Sequence, residues 1–232
     1  LEKLSLKNVF FKGNIKFISK IAASKIYDIN ENYLHKKKIW FAASIHENED
    51  KFCLKTHLEI KKKINEVVTI IAPRHIERSN KISHLAKKLN LKVQILNKNE
   101  KINEENEIII INYFGALQNY FKFSKSVFIG KSIDKRFEQD GGQNPIEAAK
   151  LNCRVYHGQY VNNFLDIYKL LEKNNISKKI DNFHDLSKSI VQDLSETNKK
   201  GYEPPSVINH LEQKTLDDTM ELVKNFLFYG NK

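Results

Sequence analysis

Six short apolar runs without polar alternation constrain the fold of this chain more than any other feature. They fall at 39–44 (IWFAAS), 67–72 (VVTIIA), 93–96 (VQIL), 107–111 (EIIII), 126–129 (SVFI) and 154–156 (RVY). A strand with one wet face alternates apolar and polar residues. An unbroken apolar run means that both faces are covered, as in a parallel sheet between layers of helix. The intervening stretches predict helices at 49–64, 77–90, 116–123, 144–151, 162–173, 183–194 and 214–229, with one more short strand near 178–180. Strands alternating with helices predict an α/β fold, a Rossmann-like doubly wound parallel sheet. Outside it, a strand pair around Gly13 is expected over 8–17, and a connecting segment with a short helix over 18–38. Irregular chain is expected over 196–213, where Gly201 and the Pro204-Pro205 pair break regularity.

In such a sheet the ligand crevice lies beyond the carboxyl ends of the strands. Ser44-Ile45-His46-Glu47, Pro73-Arg74-His75, Asn112-Tyr113-Phe114-Gly115, Gly130-Lys131 and His157-Gly158 each follow a predicted strand, so they are expected on one edge. The segment Gly141-Gly142-Gln143-Asn144-Pro145-Ile146-Glu147 points to the kind of ligand. Two glycines allow close backbone approach. Asn144 suits a helix cap and Pro145 the first helical position, which makes a helix N-terminus fit for phosphate or carboxylate. Glu147, on the first turn, is placed to accept hydrogen bonds from sugar hydroxyls. Arg74 offers a planar fork for an anion. His46 could bind a carboxylate, assist a leaving group or merely bond the backbone. Glu47 is expected to cap the helix that starts at 49. His57, on that helix, reads as structural.

Composition narrows the function classes. With 41% hydrophobic and 10% aromatic residues the chain can bury a large core and is not disordered. It has no run of about eighteen apolar residues and no leader pattern, so neither a spanning helix nor a signal peptide is expected. Cys53 and Cys153 lie far apart and are expected to be reduced, as in a cytosolic protein. No His, Cys, Asp or Glu spacing matches a metal site; residue 50 is Asp, so His46 does not open a His-Glu-x-x-His motif. The chain begins at Leu1 and its only methionine is Met220, which leads to the expectation of a piece of a longer protein. The net charge of +11 would suit nucleic acid, an anionic lipid surface or a phosphorylated substrate. Only four of the 39 basic residues are arginines, however, and abundant Lys and Asn is what an AT-rich genome encodes. Most of that charge therefore reads as solvated lysine. Arg74, Arg78, Arg136 and Arg154 carry more information.

Three combinations in order, Ala43-Ser44-Ile45-His46-Glu47, Pro73-Arg74-His75-Ile76-Glu77-Arg78 and Gly141-Gly142-Gln143-Asn144-Pro145-Ile146-Glu147, are specific together. With Gly13-Asn14-Ile15-Lys16-Phe17, Phe128-Ile129-Gly130-Lys131-Ser132, and Gly158 followed by Asn163-Phe164, they resemble the C-terminal half of the 3-deoxy-D-manno-octulosonic acid (Kdo) transferases of lipopolysaccharide synthesis, over about residues 8–195. The resemblance implies the C-terminal half of a two-domain GT-B glycosyltransferase. Residues 1–38 would be the edge of the N-terminal domain and the linker, 39–195 the nucleotide-sugar-binding domain, and 196–232 a helical segment that packs back toward the other domain.

The resemblance also implies roles. Pro73, Arg74, Phe114, Gly115, Ala116, Asn144, Pro145, Ile146 and Glu147 would contact CMP. Ser44, His46, Glu47, Gly141 and Gly142 would face the cleft near the transferred sugar acid. The catalytic base would lie in the N-terminal domain, with no catalytic residue in this chain. No cofactor or metal is implied; the donor is CMP-Kdo and the acceptor a lipid A precursor. The whole enzyme would work at the cytoplasmic face of the bacterial inner membrane, with this piece soluble, not binding nucleic acid and inactive alone. The chain departs from the family's pattern at Ala116, where an acid is usual, at Lys131, where a second glycine is usual, at Gln143, where histidine is usual, and in a longer 133–140 loop. Two other readings remain open: another GT-B enzyme using a UDP-sugar, such as a transferase or epimerase, and a basic nucleic-acid-binding module.

Overall fold

The computed structural model describes residue 18, residues 30–196 and residues 206–229. The strand pair expected over 8–17 lies outside the described residues. Seven strands form one sheet: β1 (Lys38–Ile45), β2 (Val67–Pro73), β3 (Val93–Leu96), β4 (Ile108–Ile111), β5 (Ser126–Ile129), β6 (Arg154–His157) and β7 (Ser177–Lys179). Their order across the sheet is β3-β4-β2-β1-β5-β6-β7, and every pairing is parallel. This is the Rossmann-like α/β architecture that the apolar runs predict.

The helices are α1 (Glu31–Lys36), α2 (Glu49–Lys61), α3 (Ser79–Lys88), α4 (Leu117–Phe121), α5 (Ile146–Lys150), α6 (Leu165–Lys173), α7 (Phe183–Ser195) and α8 (Ser206–Tyr229). Successive side chains of a strand point to opposite faces, and here both faces are covered. Ile39, Phe41 and Ala43 of β1 join one core with Tyr120, Phe121, Ile146, Ala149 and Tyr168 from α4, α5 and α6. Trp40, Ala42 and Ile45 join the other with Leu54, Ile82, Ala86, Leu186 and Ile190 from α2, α3 and α7. That is why the sequence shows no alternation. Cys53 and Cys153 are free and buried, one in each core.

Helix α8 starts at Ser206, eight residues before the 214 expected. The proline pair that prompted a longer irregular stretch lies just ahead of it, outside the described residues, and the chain after Pro205 is free to be helical. Ile208 is buried in the first core, and Lys150 Nζ of α5 pairs with Glu212 at 2.6 Å. The other half of α8 leaves Leu216, Met220, Val223 and Leu227 exposed at helical spacing. Among the described residues no helix is long and apolar enough to cross a membrane.

Connectivity places the crevice. From β1 the chain builds outward through β2 to β4 and β3, then returns to β5 on the other flank of β1 and continues to β6 and β7. The reversal between β1 and β5 is the switch point, where open α/β sheets hold ligands.

Candidate functional site

The loops beyond β1, β2, β4 and β5 form the candidate site. A cleft of about 170 Å³ opens beyond β2 and β4, lined by Ser44, Pro73, Arg74, Tyr113, Phe114, Gly115 and Ala116 among others. The β2–β1 register shifts at the end of β1, between Ala43 and Ile45, and Ser44 has φ 56° there. Arg74 is anchored by its backbone, its N–H donating to the carbonyl of Ile45 at 3.0 Å. Its side chain is exposed. Phe114 is 71% exposed, an unusual place for a phenyl ring. Gly115 has φ +81°, and a Cβ added there would meet nothing within 4 Å. The loop is thus glycine-dependent for its turn, and its surface is open.

Charge pairing separates Arg74 from the other arginines. Arg78 Nη2 lies 2.5 Å from Asp50 Oδ2, Arg136 Nη2 lies 2.9 Å from Asp134, and Arg154 Nη2 lies 3.2 Å from Glu196. Of the four arginines, Arg74 alone has no carboxylate at ion-pair distance among the described residues. A guanidinium left unpaired at the lip of a cleft can take an anion without giving up an internal partner.

The second part of the site is the switch point itself. Glu49, on the first turn of α2, is 1% exposed. Its carboxylate accepts hydrogen bonds from the backbone N–H groups of His46 (2.9 Å), Lys131 (2.7 Å), Ser132 (2.8 Å) and Ile133 (3.2 Å). One side chain therefore ties the loop after β1 to the loop after β5. Burial pushes its carboxyl pKa up, and those backbone donors pull it down. Gly130 makes the approach possible, since a Cβ there would lie 2.5 Å from the Ser44 carbonyl and 2.7 Å from Glu49. Sequence reasoning missed Glu49. The available signal was an acid on the first turn of the helix that follows the first buried strand.

His46 lies between these two parts. Its ring is 5.8 Å from that of His75 and 5.2 Å from that of Phe137. Burial above all, then the charges of Lys131, His75, Arg74 and Arg78, lower its pKa to about 4. The imidazole is neutral at pH 7. Its Nε2 is buried without a hydrogen-bond partner among the described residues. Glu47, expected to cap α2, instead pairs outward with Lys81 (2.6 Å), Arg78 (3.4 Å) and Arg136 (3.8 Å). Its carboxylate lies among three cations from other parts of the fold, and the hydrogen bond from Lys81 is the main cause of its lowered pKa.

The glycine-rich segment lies on the same edge, after β5. Gly141 and Gly142 are buried; Gly142 N–H donates to the Lys131 carbonyl at 2.6 Å, and Asn163 N–H to the Gly141 carbonyl at 3.0 Å. The close approach they allow is to the Tyr160–Val161 backbone. Helix α5 begins at Ile146, so Pro145 takes the cap position rather than the first helical one. Asn144 Oδ1 accepts the Ile146 N–H at 3.1 Å. Residues 144–147 do not line the Arg74 cleft. They follow β5, two strand positions from β2, or about 10 Å at ordinary strand spacing, and α5 packs against α4 at the cleft's edge. Among the described residues no three His, Cys, Asp or Glu side chains gather as metal ligands. His57 is buried, bonded to Thr69 (2.7 Å) and Glu107 (3.2 Å).

Comparison with known proteins gives this arrangement its context. No family model matches the chain. It is 31% identical over 162 residues to the 3-deoxy-D-manno-octulosonic acid transferase of Haemophilus influenzae, covering 68% of this chain and 37% of that protein. It is 26% identical over 231 residues to the enzyme of the same name from Rickettsia prowazekii, covering 97% of this chain and 49% of that one. The chain thus spans half or less of the length of these relatives. In fold it is similar to the C-terminal CMP-Kdo binding domain of WaaA from Acinetobacter baumannii, with a TM-score of 0.66 and 20% identity over 89% of this chain and 99% of that domain. The chain is a relative of the Kdo transferases and shares the fold of that C-terminal domain.

Proposed function

We propose that this relative of the Kdo transferases is the donor half of such an enzyme, binding CMP-Kdo for transfer of Kdo to a lipid A precursor. The observation that carries the reading is Arg74: the one arginine without a carboxylate partner among the described residues stands at the lip of a cleft beside an exposed phenyl ring and an open glycine. In this reading the guanidinium takes the phosphate, Phe114 offers a face to the cytosine, and Glu147 accepts from the ribose hydroxyls. Pro73, Gly115 and Ala116 shape the nucleotide cleft, and Asn144 to Ile146 hold the tip that carries Glu147. Ser44, His46 and the Gly141-Gly142 segment border the sugar acid.

During transfer the bond from the anomeric carbon to the phosphate oxygen breaks, and a bond to the acceptor oxygen forms. Negative charge grows on the departing CMP, where a fixed guanidinium lowers the barrier. A carboxylate must take the acceptor's proton. The resemblance puts that base in an N-terminal domain, so the chain alone binds the donor without transferring it. The apolar stripe of α8 (Leu216, Met220, Val223 and Leu227) is suited to packing against that acceptor domain. A lipid acceptor places the whole enzyme at a membrane surface, in this reading the cytoplasmic face of the inner membrane.

Thermal unfolding with added nucleotide tests the proposal. CMP raises the melting temperature by mass action, UDP raises it less, and Arg74→Ala removes the CMP effect. A larger shift with UDP would instead favour a UDP-sugar enzyme, and no shift with either nucleotide would refute the reading.

A further inference from the structure

Among the described residues seven non-glycine positions have positive φ, and five of them are asparagine, the residue that tolerates this conformation best after glycine. The other two are Ser44 and Lys131, which follow or end the two strands that flank the switch point. Lysine in this conformation is strained, and such strain gathers at functional sites. The surroundings hold Lys131 in place: Glu49 accepts its N–H at 2.7 Å, and its carbonyl accepts the Gly142 N–H at 2.6 Å.

The fixed backbone aims a long cation at one spot. The Lys131 side chain is only 17% exposed; its Nζ lies 5.7 Å from the centre of the Phe137 ring and 2.7 Å from Asp140 Oδ2. The His46 ring packs on the same phenyl group, so ammonium and imidazole flank one aromatic wall. His46 is neutral and its buried Nε2 lacks a partner among the described residues, so it can donate a hydrogen bond from that nitrogen. The carboxylate that Lys131 holds belongs to Asp140, whose side chain is 64% exposed on the loop before Gly141. An ion pair with one partner in solvent is exchangeable. Asp140 therefore shows the chemistry that this ammonium accepts and can give way to another carboxylate.

We propose that Lys131 Nζ and His46 Nε2 form a carboxylate subsite, separate from the Arg74 cleft, that selects a donor carrying a sugar acid over one carrying a neutral sugar. The inference rests on the donor-binding reading and deepens it: Arg74 takes the phosphate, Lys131 the sugar carboxylate, and Asp140 holds the ammonium until the donor displaces it.

Calorimetric titration of the 232-residue chain with CMP and with CMP-Kdo tests it. The unaltered chain should bind CMP-Kdo about ten-fold more tightly than CMP, the size of one charge-assisted hydrogen bond. Lys131→Met should bring that ratio close to one while leaving CMP affinity unchanged. Lys131→Arg should keep most of the ratio, and Asp140→Asn, which frees the ammonium without touching strained backbone, should raise it about two-fold. A ratio unaffected by both Lys131→Met and Asp140→Asn overturns the subsite but leaves the Arg74 reading intact. A chain that binds neither compound overturns both.

Discussion

Two cationic regions lie side by side beyond the strand ends, and they differ in how their charge is settled. Around the switch point, Glu49 takes up four backbone N–H groups, Arg78 and Lys81 hold Glu47, Arg136 holds Asp134, and Lys131 holds Asp140. Beyond β2, Arg74 faces a cleft edged by Phe114 with no such partner. In the first region each of these cations already holds a carboxylate; the second keeps charge and apolar surface in reserve. Partnered cations stabilise a fold or await exchange, whereas an unpartnered one at a concave site marks where a ligand supplies the missing charge.

If this division is right, substitutions in the two regions should fail in different measurements. The largest effect belongs to Glu49→Ala. Four backbone donors, one buried and three part-buried, lose their acceptor, and denaturant unfolding should show a loss of about 3 kcal/mol. Retained stability would mean that the two loops do not depend on the carboxylate. Arg74→Ala should do the reverse, weakening CMP binding by about ten- to a hundred-fold with no change in melting temperature. A drop in stability instead would place Arg74 in the scaffold.

Phe114→Ala should weaken CMP binding by about ten-fold, within the range for a base stacked on an aromatic ring, again without loss of stability. His46 gives a pH signature. Its folded pKa is depressed from 6.5 to about 4, so the unfolded chain binds a proton that the folded chain refuses. The folded state therefore loses stability as pH falls from 6.5 toward 4, relative to a His46→Asn variant. With the ring half-exposed and screened, the difference should be about 1 kcal/mol, read from unfolding curves at pH 7 and pH 4.5. Equal pH dependence in the two proteins would remove His46 from the cationic cluster. The smallest effect belongs to Glu47→Gln, an exposed carboxylate among several cations, whose melting temperature should stay close to that of the unaltered chain.

The same contrast separates what could be read in the sequence from what could not. Strand β5 begins and ends where its apolar run does, because burial on both faces leaves no other pattern; the edge strand β3 keeps its expected bounds too, although it is only part-buried. Arg74 was legible from its place after a buried strand and a proline. Glu49 was not: its partners are backbone N–H groups, one three residues away and three on a loop more than eighty residues later, and no side-chain pattern announces them. Glu47 was misread for a related reason. Helix-cap logic uses local spacing, whereas its cations Lys81 and Arg136 come from other elements of the fold. The Asn144-Pro145 helix start is displaced by one residue, and the Gly-Gly pair serves packing against 160–161, which depends on the return of the chain after β6.

One of the two edge strands, β7, has a consequence for how the isolated chain behaves at high concentration. It is three residues long, and Lys178 and Lys179 on it are exposed. A short edge guarded by ammonium groups resists the addition of a foreign strand, because an incoming backbone would find few bonds and repulsive neighbours. Self-association should therefore begin at the bare aromatic end of α8, at Phe226 to Phe228, rather than by pairing along β7. Detergent, not salt, should be what keeps concentrated samples clear.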